Sequence, residues 1–335
     1  MRNLPHLPLT KFIDNLLNKF YYIALLISRK MNSHTKVLIS GGSGMIGRYL
    51  TSLLLAEGFT VAHLSRQQNQ FGKVRVFRWD PEKEIIDPVI LDGMDYIIHL
   101  AGANIGEKRW TKKRKQEVAA SRVVSAKLLY KVIRKNKIGL KAFISASATG
   151  YYGSVTSEHI YTEEDPPADD FLATTCRLWE EAADLFENSG IRTVKIRTAM
   201  VLEKSAGALS MLLSPARFGI FPVMGKGSQY MPWIHISDLC AIYLKAVKDE
   251  NMAGAYNAVS PEHVTQKEFM RILSQSMKRR FFHLPVPAIL LKAYPGEMSD
   301  LVLKGSRLSS EKIIKAGYHF TFKYLYEALD DLINQ

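Results

Sequence analysis

Residues Val37 to Arg66 read VLISGGSGMIGRYLTSLLLAEGFTVAHLSR. A short apolar run, Val37 to Ile39, enters a glycine-rich turn with the spacing Gly41-x-x-Gly44-x-x-Gly47. An apolar-periodic segment from Tyr49 to Ala56 follows, closed by Gly58, and a second apolar run spans Val61 to Leu64. That order predicts strand, tight turn, helix and strand, the first βαβ unit of a dinucleotide-binding fold. Gly41 permits the sharp turn, Gly44 admits a pyrophosphate close to the backbone, and Gly47 lets the helix pack closely. The phosphates would sit on free N–H groups at the helix N-terminus, where the peptide dipoles favour negative charge. Gly41, Ser43, Gly44, Met45, Ile46 and Gly47 are therefore the candidates to line the phosphates.

The end of the second strand selects the dinucleotide. A site for NAD carries Asp or Glu there, accepting hydrogen bonds from the ribose 2′-OH. This chain has Ser65-Arg66 instead, with no acidic residue between Gly58 and Asp80. A hydroxyl and a guanidinium suit a 2′-phosphate, onto which Arg forks bidentately; the alternative is a surface Arg. NADP is the expected cofactor.

Working outward, strand-like runs occur at 37–40, 61–64, 74–78, 96–100, 142–146 and 193–197, with helical stretches at 48–57, 112–136 and 174–188. Such alternation predicts an α/β, Rossmann-type doubly wound parallel sheet, with chemistry at the carboxyl ends of its strands. Those ends carry Trp79-Asp80, placed to reach an adenine edge or else a turn Asp before Pro81. They also carry His99-Leu100-Ala101-Gly102-Ala103, the hydroxyl-rich stretch 145–153, and Arg197. The punctuated segment 212–233 is too broken for a single helix or strand and is expected to help form a substrate lobe. Asp238 is expected to cap a helix over 239–248, and His235 to be structural.

With 335 residues and 47% hydrophobic content, the chain can bury a large core. Its two cysteines, Cys176 and Cys240, form neither a disulfide framework nor a metal-ligand spacing, which points to a reducing, cytoplasmic setting. The formal charge is +13. Part of it lies in the run Lys108, Arg109, Lys112, Lys113, Arg114, Lys115, read as a solvated helix face; with Trp110 alone interleaved, no nucleic acid is expected. Residues 1–35 do not fit the unit that follows and are taken as a leader of unknown role, with Met31 as the true first residue. Their apolar stretch, Phe20 to Ile27, is shorter than the ~20 residues of a spanning helix and lacks a signal-peptidase site, leaving a peripheral anchor as the alternative.

The glycine turn, Leu100-Ala101-Gly102 and the Ser147 region resemble an extended short-chain dehydrogenase/reductase. Ala101 to Ile105, Ser121-Arg122, Gly150-Tyr151-Tyr152-Gly153, Trp179-Glu180, Pro232 to His235, Gly296-Glu297-Met298 and Ala316-Gly317-Tyr318 narrow the resemblance to its atypical epimerase-like subfamily, the SDR39U and YfcH type. The likeness covers roughly 36 to 333. It implies a nucleotide-binding domain over 36–260 and a small C-terminal domain over 284–333. It further implies NADP contacts at Ser65, Arg66, Leu100, Ala101, Gly102, Glu117, Arg122 and Val201, with Glu117 meeting a ribose hydroxyl or orienting Arg122. Relatives pair through helices like those at 112–136 and 174–188, so a homodimer is a further expectation.

The departure from the pattern concerns catalysis. Short-chain dehydrogenases use a Tyr-x-x-x-Lys pair, in which Lys lowers the pKa of the proton-transferring Tyr. Alignment through Trp179-Glu180 puts Leu172 and Cys176 at those positions. Ser147 remains, and Tyr151 is the nominee to replace the missing acid. The function expected is an NADP-dependent oxidoreductase or epimerase moving hydride to or from a small polar, sugar-like substrate. The alternative is a non-catalytic NADP-binding scaffold or redox sensor.

Overall fold

The computed structural model describes residues 35–67, 72, 74–293 and 296–334; the leader expected over 1–35 lies outside them, Thr35 aside. Its centre is an eight-stranded sheet formed by β1 (Lys36–Ser40), β2 (Thr60–Ser65), β3 (Arg75–Asp80), β4 (Ile85–Ile86), β5 (Tyr96–His99), β6 (Ala142–Ala148), β8 (Arg192–Thr198) and β12 (Gly254–Ala258). The order is β12-β8-β6-β5-β1-β2-β3-β4, with every pair parallel except β3 with the short edge strand β4. The remaining strands form two-stranded ribbons: β7 (Ile160–Tyr161) with β14 (Arg307–Leu308), β9 (Met200–Leu202) with β11 (Trp233–His235), and β10 (Ile220–Met224) with β13 (Phe282–Val286).

The buried strands explain why helices cover both faces. Val37 and Ile39 enter one apolar cluster and Leu38 the other, as do Ile98 against Ile97 and Ile144 against Phe143. A period-two strand that is apolar on both sides needs cover on both sides. Helices α1 (Met45–Ala56) and α5 (Ile236–Lys248) close the first face. The second is closed by α2 (Lys112–Lys135) and α3 (Phe171–Glu187), where Phe186 stacks on Phe143 at 3.7 Å. On α1 the buried positions are Gly47, Leu50, Thr51 and Leu54, the i, i+3, i+4, i+7 stripe of a helix with one dry face.

A third cluster builds the smaller lobe from α4 (Gly207–Ala216), β10, β11, α6 (Gln266–Ser276) and α10 (Leu325–Asn334), around Phe221, Trp233, Phe269 and Leu329. The segment 212–233 is thus the end of a helix and two short strands, and its Gln229 is buried, donating to the carbonyls of Met224 and Val302.

One open alternative is narrowed and one expectation changes. Asp80 accepts from the Lys83 N–H and caps a 3-10 turn, while Trp79 is buried, so the turn reading of this pair holds. Asp238 is not a helix cap, because His235 occupies that position. Its buried carboxylate instead accepts from the N–H groups of Thr321 and Phe322 and from the Tyr318 hydroxyl, clasping the C-terminal segment to α5.

Candidate functional site

The sheet order reverses at β1, whose neighbours are β5 and β2, and the crevice beyond its carboxyl end is where such sheets bind ligands. The glycine turn fills that position. Gly41 has φ +77°, and a Cβ there would lie 3.0 Å from the backbone N of Ala101. At Gly47 a Cβ would meet the Gly41 carbonyl at 2.5 Å, so this glycine packs on the turn itself. Gly42, which sequence reasoning did not single out, is equally constrained: its Cβ would strike the His63 ring at 2.4 Å. His63 is buried beneath the turn, hydrogen-bonded to Thr51, its pKa pushed down by burial. A histidine facing a glycine across a βαβ unit was the signal for that pairing.

Helix α1 opens at Gly44 with no side-chain cap, whereas Thr111, Asp170 and Thr265 cap α2, α3 and α6. Its first-turn N–H groups therefore face the crevice with no side chain of the described residues capping them. Ser43 and Gly44 are exposed, and Met45 and Ile46 are half-buried at its edge. Arg66, at the end of β2, is exposed and makes no ion pair among the described residues. Leu100 and Ala101 are held against the turn by bonds from their N–H groups to the Ser40 carbonyl and hydroxyl, at 3.0 and 3.4 Å. The Arg122 guanidinium lies 3.0 Å from where Gly102 would carry a Cβ, donates to the Ala103 carbonyl, and sits 4.9 Å over the Trp179 ring. Ile46, Leu100, Val201 and Tyr151 border one and the same apolar cluster. Glu117 stands apart. It is exposed and pairs with Arg114 at 2.8 Å, not with Arg122.

Beside the turn, at the ends of β6 and β8, lies a buried polar network. Ser147 donates to Glu180 at 2.7 Å, and Arg197 grips the same carboxylate through Nε and Nη2, each at 2.9 Å. Arg197 also donates to the Tyr152 hydroxyl, which donates to Asn257. Burial works against the Arg197 charge, but Glu180 holds its pKa above the usual value. Burial pushes Tyr152 up to about 12, against the opposing pull of Arg197. Tyr152 is therefore a poor proton donor. Tyr151 is half-buried, its ring 3.5 Å from the Arg197 guanidinium carbon, and its hydroxyl makes no hydrogen bond among the described residues. Leu172 and Cys176 pack on the place of the missing Gly150 side chain, at 3.3 and 3.6 Å. The Cys176 thiol is pushed up to about 12 by burial and by the nearby Glu180, so it is no nucleophile.

A cleft of about 350 Å³ runs between this shelf and the small lobe, lined by Trp110, Lys115, Asp170, Phe171, Leu172 and Glu297 among others. Lys115 pairs with Glu297 across it and lies 5.2 Å over the Phe171 ring. The basic run is therefore only partly a solvated face. Arg114 is buried, donating to the Asn104 carbonyl and to Glu117, and Lys115 bridges the lobes. Among the described residues no group of three or more His, Cys, Asp or Glu could hold a metal ion, and no helix is long and apolar enough to cross a membrane.

Comparison with known proteins agrees with this geometry. The NAD dependent epimerase/dehydratase family matches residues 37–259, and a domain of unknown function, DUF1731, matches 286–332. The epimerase family protein YfhF of Bacillus subtilis is 35% identical over 305 residues, covering 89% of this chain and 97% of that protein. The human epimerase family protein SDR39U1 is 34% identical over 303 residues, covering 89% and 99%. A crystal structure of human SDR39U1 with NADPH superposes with a TM-score of 0.79 at 30% identity, covering 90% of this chain and 99% of that one. The glycine turn at the reversal of the sheet, the shelf beside it and these likenesses have one source: the chain belongs to the NAD dependent epimerase/dehydratase family.

Proposed function

We propose that this protein is an NADP(H)-dependent oxidoreductase of the epimerase type, acting on a small polar, sugar-like substrate. The observation that carries the reading is an uncapped helix N-terminus behind a glycine turn, with an exposed Arg66 beside it that makes no ion pair among the described residues. Anionic phosphates are the ligands such a place receives, and an exposed guanidinium at the end of β2 suits a 2′-phosphate. NADPH in the human relative's crystal structure supports the same choice. When bound, the nicotinamide would supply or accept hydride.

Residues Gly41 to Gly47 would hold the pyrophosphate, Ser65 and Arg66 the 2′-phosphate, and Leu100 to Gly102 the adjoining ribose, with Arg122 braced behind that strand end. On the substrate side Tyr151 is the group open to exchange a proton, since its hydroxyl is uncommitted and its ring is held by Arg197. Ser147 spends its proton on Glu180, so toward a substrate hydroxyl its oxygen acts as an acceptor.

One observation favours a second reading, a non-catalytic NADP-binding scaffold or redox sensor. Leu172 and Cys176, an apolar pair, occupy the helix face where the resemblance places Tyr and Lys. Titration with NADPH and NADH, repeated on Arg66→Ala, tests the cofactor assignment. NADPH should bind about tenfold tighter, ~1.4 kcal/mol, and the variant should lose that preference. Equal affinities would overturn it. Turnover of a hydroxyl or carbonyl compound that falls in Tyr151→Phe while NADPH binding persists would separate enzyme from scaffold.

A further inference from the structure

Away from the cofactor crevice, the ribbon of β10 and β13 leaves an apolar surface with no cover among the described residues. Its register pairs Ile220 with Phe282 and Pro222 with Leu284. In parallel neighbours such pairs share a face, and Ile220, Phe282 and Leu284 are 42%, 76% and 48% exposed. Phe218, two residues before Ile220, is 83% exposed. Helix α7 (Ala288–Ala293), which continues β13, adds Ile289 and Leu290 at 75% and 63%. Phe221, between the outward residues, is fully buried, so the lobe spends part of its aromatic content inward and still presents this surface.

Along the two stretches that form the patch the charges have one sign. Neither 206–229 nor 276–293, the two stretches that form it, contains an Asp or Glu, while they carry Arg217, Lys226, Lys278, Arg279, Arg280 and Lys292. All six are exposed, and none makes an ion pair among the described residues. Acidic groups flanking these stretches in sequence are engaged elsewhere: Glu203 with Ser205, Glu268 in the capping box of α6, Glu297 with Lys115, and Asp300 with Lys304.

We propose that this face of the small lobe docks on an anionic lipid bilayer, with Phe218, Phe282 and Leu290 entering the headgroup boundary and the six cations on lipid phosphates and carboxylates. Exposed apolar groups ringed by basic residues are what interfacial membrane binding requires. A second copy of the chain fits worse, because it would bring two cationic rings together. A bilayer offers the missing negative charge and an apolar layer in one surface.

Sedimentation of the full chain with vesicles tests this. The protein should bind vesicles of phosphatidylcholine mixed with phosphatidylserine, bind phosphatidylcholine alone weakly, and release as salt rises. Arg279→Gln with Arg280→Gln should weaken binding by about 25-fold, at about fivefold per cation. Phe282→Ser with Leu290→Ser should weaken it by about tenfold. Both are exposed changes and should leave circular dichroism and the thermal midpoint unaltered. Failure to bind the anionic vesicles would overturn the proposal. So would wild-type affinity in both variants, which would assign the binding to residues outside this face. A concentration-dependent dimer abolished by the same substitutions would overturn it in favour of a second copy.

Discussion

The glycine turn and the Ser147 shelf lie side by side at one edge of the sheet, and both are dense in polar groups. At the turn, those groups point outward: among the described residues the backbone N–H groups of α1 have no side-chain cap, and Arg66 has no ion pair. On the shelf they point at each other. Ser147, Glu180, Arg197, Tyr152 and Asn257 are all buried and linked in sequence by bonds of 2.7 to 2.9 Å. A region that leaves its donors unmet is built to receive a ligand, whereas one that meets them internally is built to hold a shape. Tyr151 lies against this network through its ring alone, and its hydroxyl makes no hydrogen bond among the described residues.

Removing one partner from the shelf is the severest test of that contrast. Arg197→Met leaves the Glu180 carboxylate buried without its counter-ion and should cost about 3–5 kcal/mol in urea denaturation, with Glu180→Met added to it restoring most of the loss. A loss below about 1 kcal/mol would show the network to be wetter and looser than its geometry. Next in size is a pH effect beneath the turn. His99, buried between Ser40 and Ser125, has its pKa pushed from 6.5 down to about 4 by burial. Between those values the unfolded chain holds a proton that the native chain refuses. The resulting stability is complete above about pH 6.5 and drains away as pH falls toward about 4, by roughly 3 kcal/mol. His63, shifted the same way, adds to it. Urea midpoints across this window should therefore fall with acid, and fall less steeply in His99→Asn.

Within the turn, Gly42→Ala should destabilise by about 1–3 kcal/mol through its clash with His63, and weaken NADPH binding by displacing the backbone. Unchanged affinity would detach the turn from the cofactor. The smallest effect belongs to the bridge between lobes. Lys115→Ala should cost about 0–1 kcal/mol, because Glu297 is largely solvated and such pairs are screened.

All six parallel strands expected from periodicity are present, and their turns and helices lie within a few residues of the expected places. The reason is that each is signalled locally, by an apolar run and a glycine or a cap. The seventh parallel strand, β12, was not legible, since GAYNA carries a glycine, an asparagine and no apolar alternation. Its identity comes from pairing with β8. The same divide runs through the site. The glycine spacing and Ser65-Arg66 were readable because their partners are close in the chain. The partners of Glu180 were not, because its bonds to Ser147 and Arg197 span 33 and 17 residues, with Tyr152 to Asn257 spanning 105. No period or propensity encodes such pairings. Asp238 was misassigned for the same cause: an acid near a helix start looks like a cap until its partners, some eighty residues later, are known.

That clasp bears on how such chains can be recombined. Leu308, Ile313, Tyr318 and Phe320 sit in the same apolar cluster as Val37 and Ile39, and Asp238 is satisfied by the backbone of Thr321 and Phe322. Two family profiles divide the chain along its length, yet the last stretch completes the core of the first. Exchanging C-terminal units between relatives would leave a carboxylate and an apolar face waiting for a matching insert. The two stretches share one core, and a graft would have to carry α5 with it.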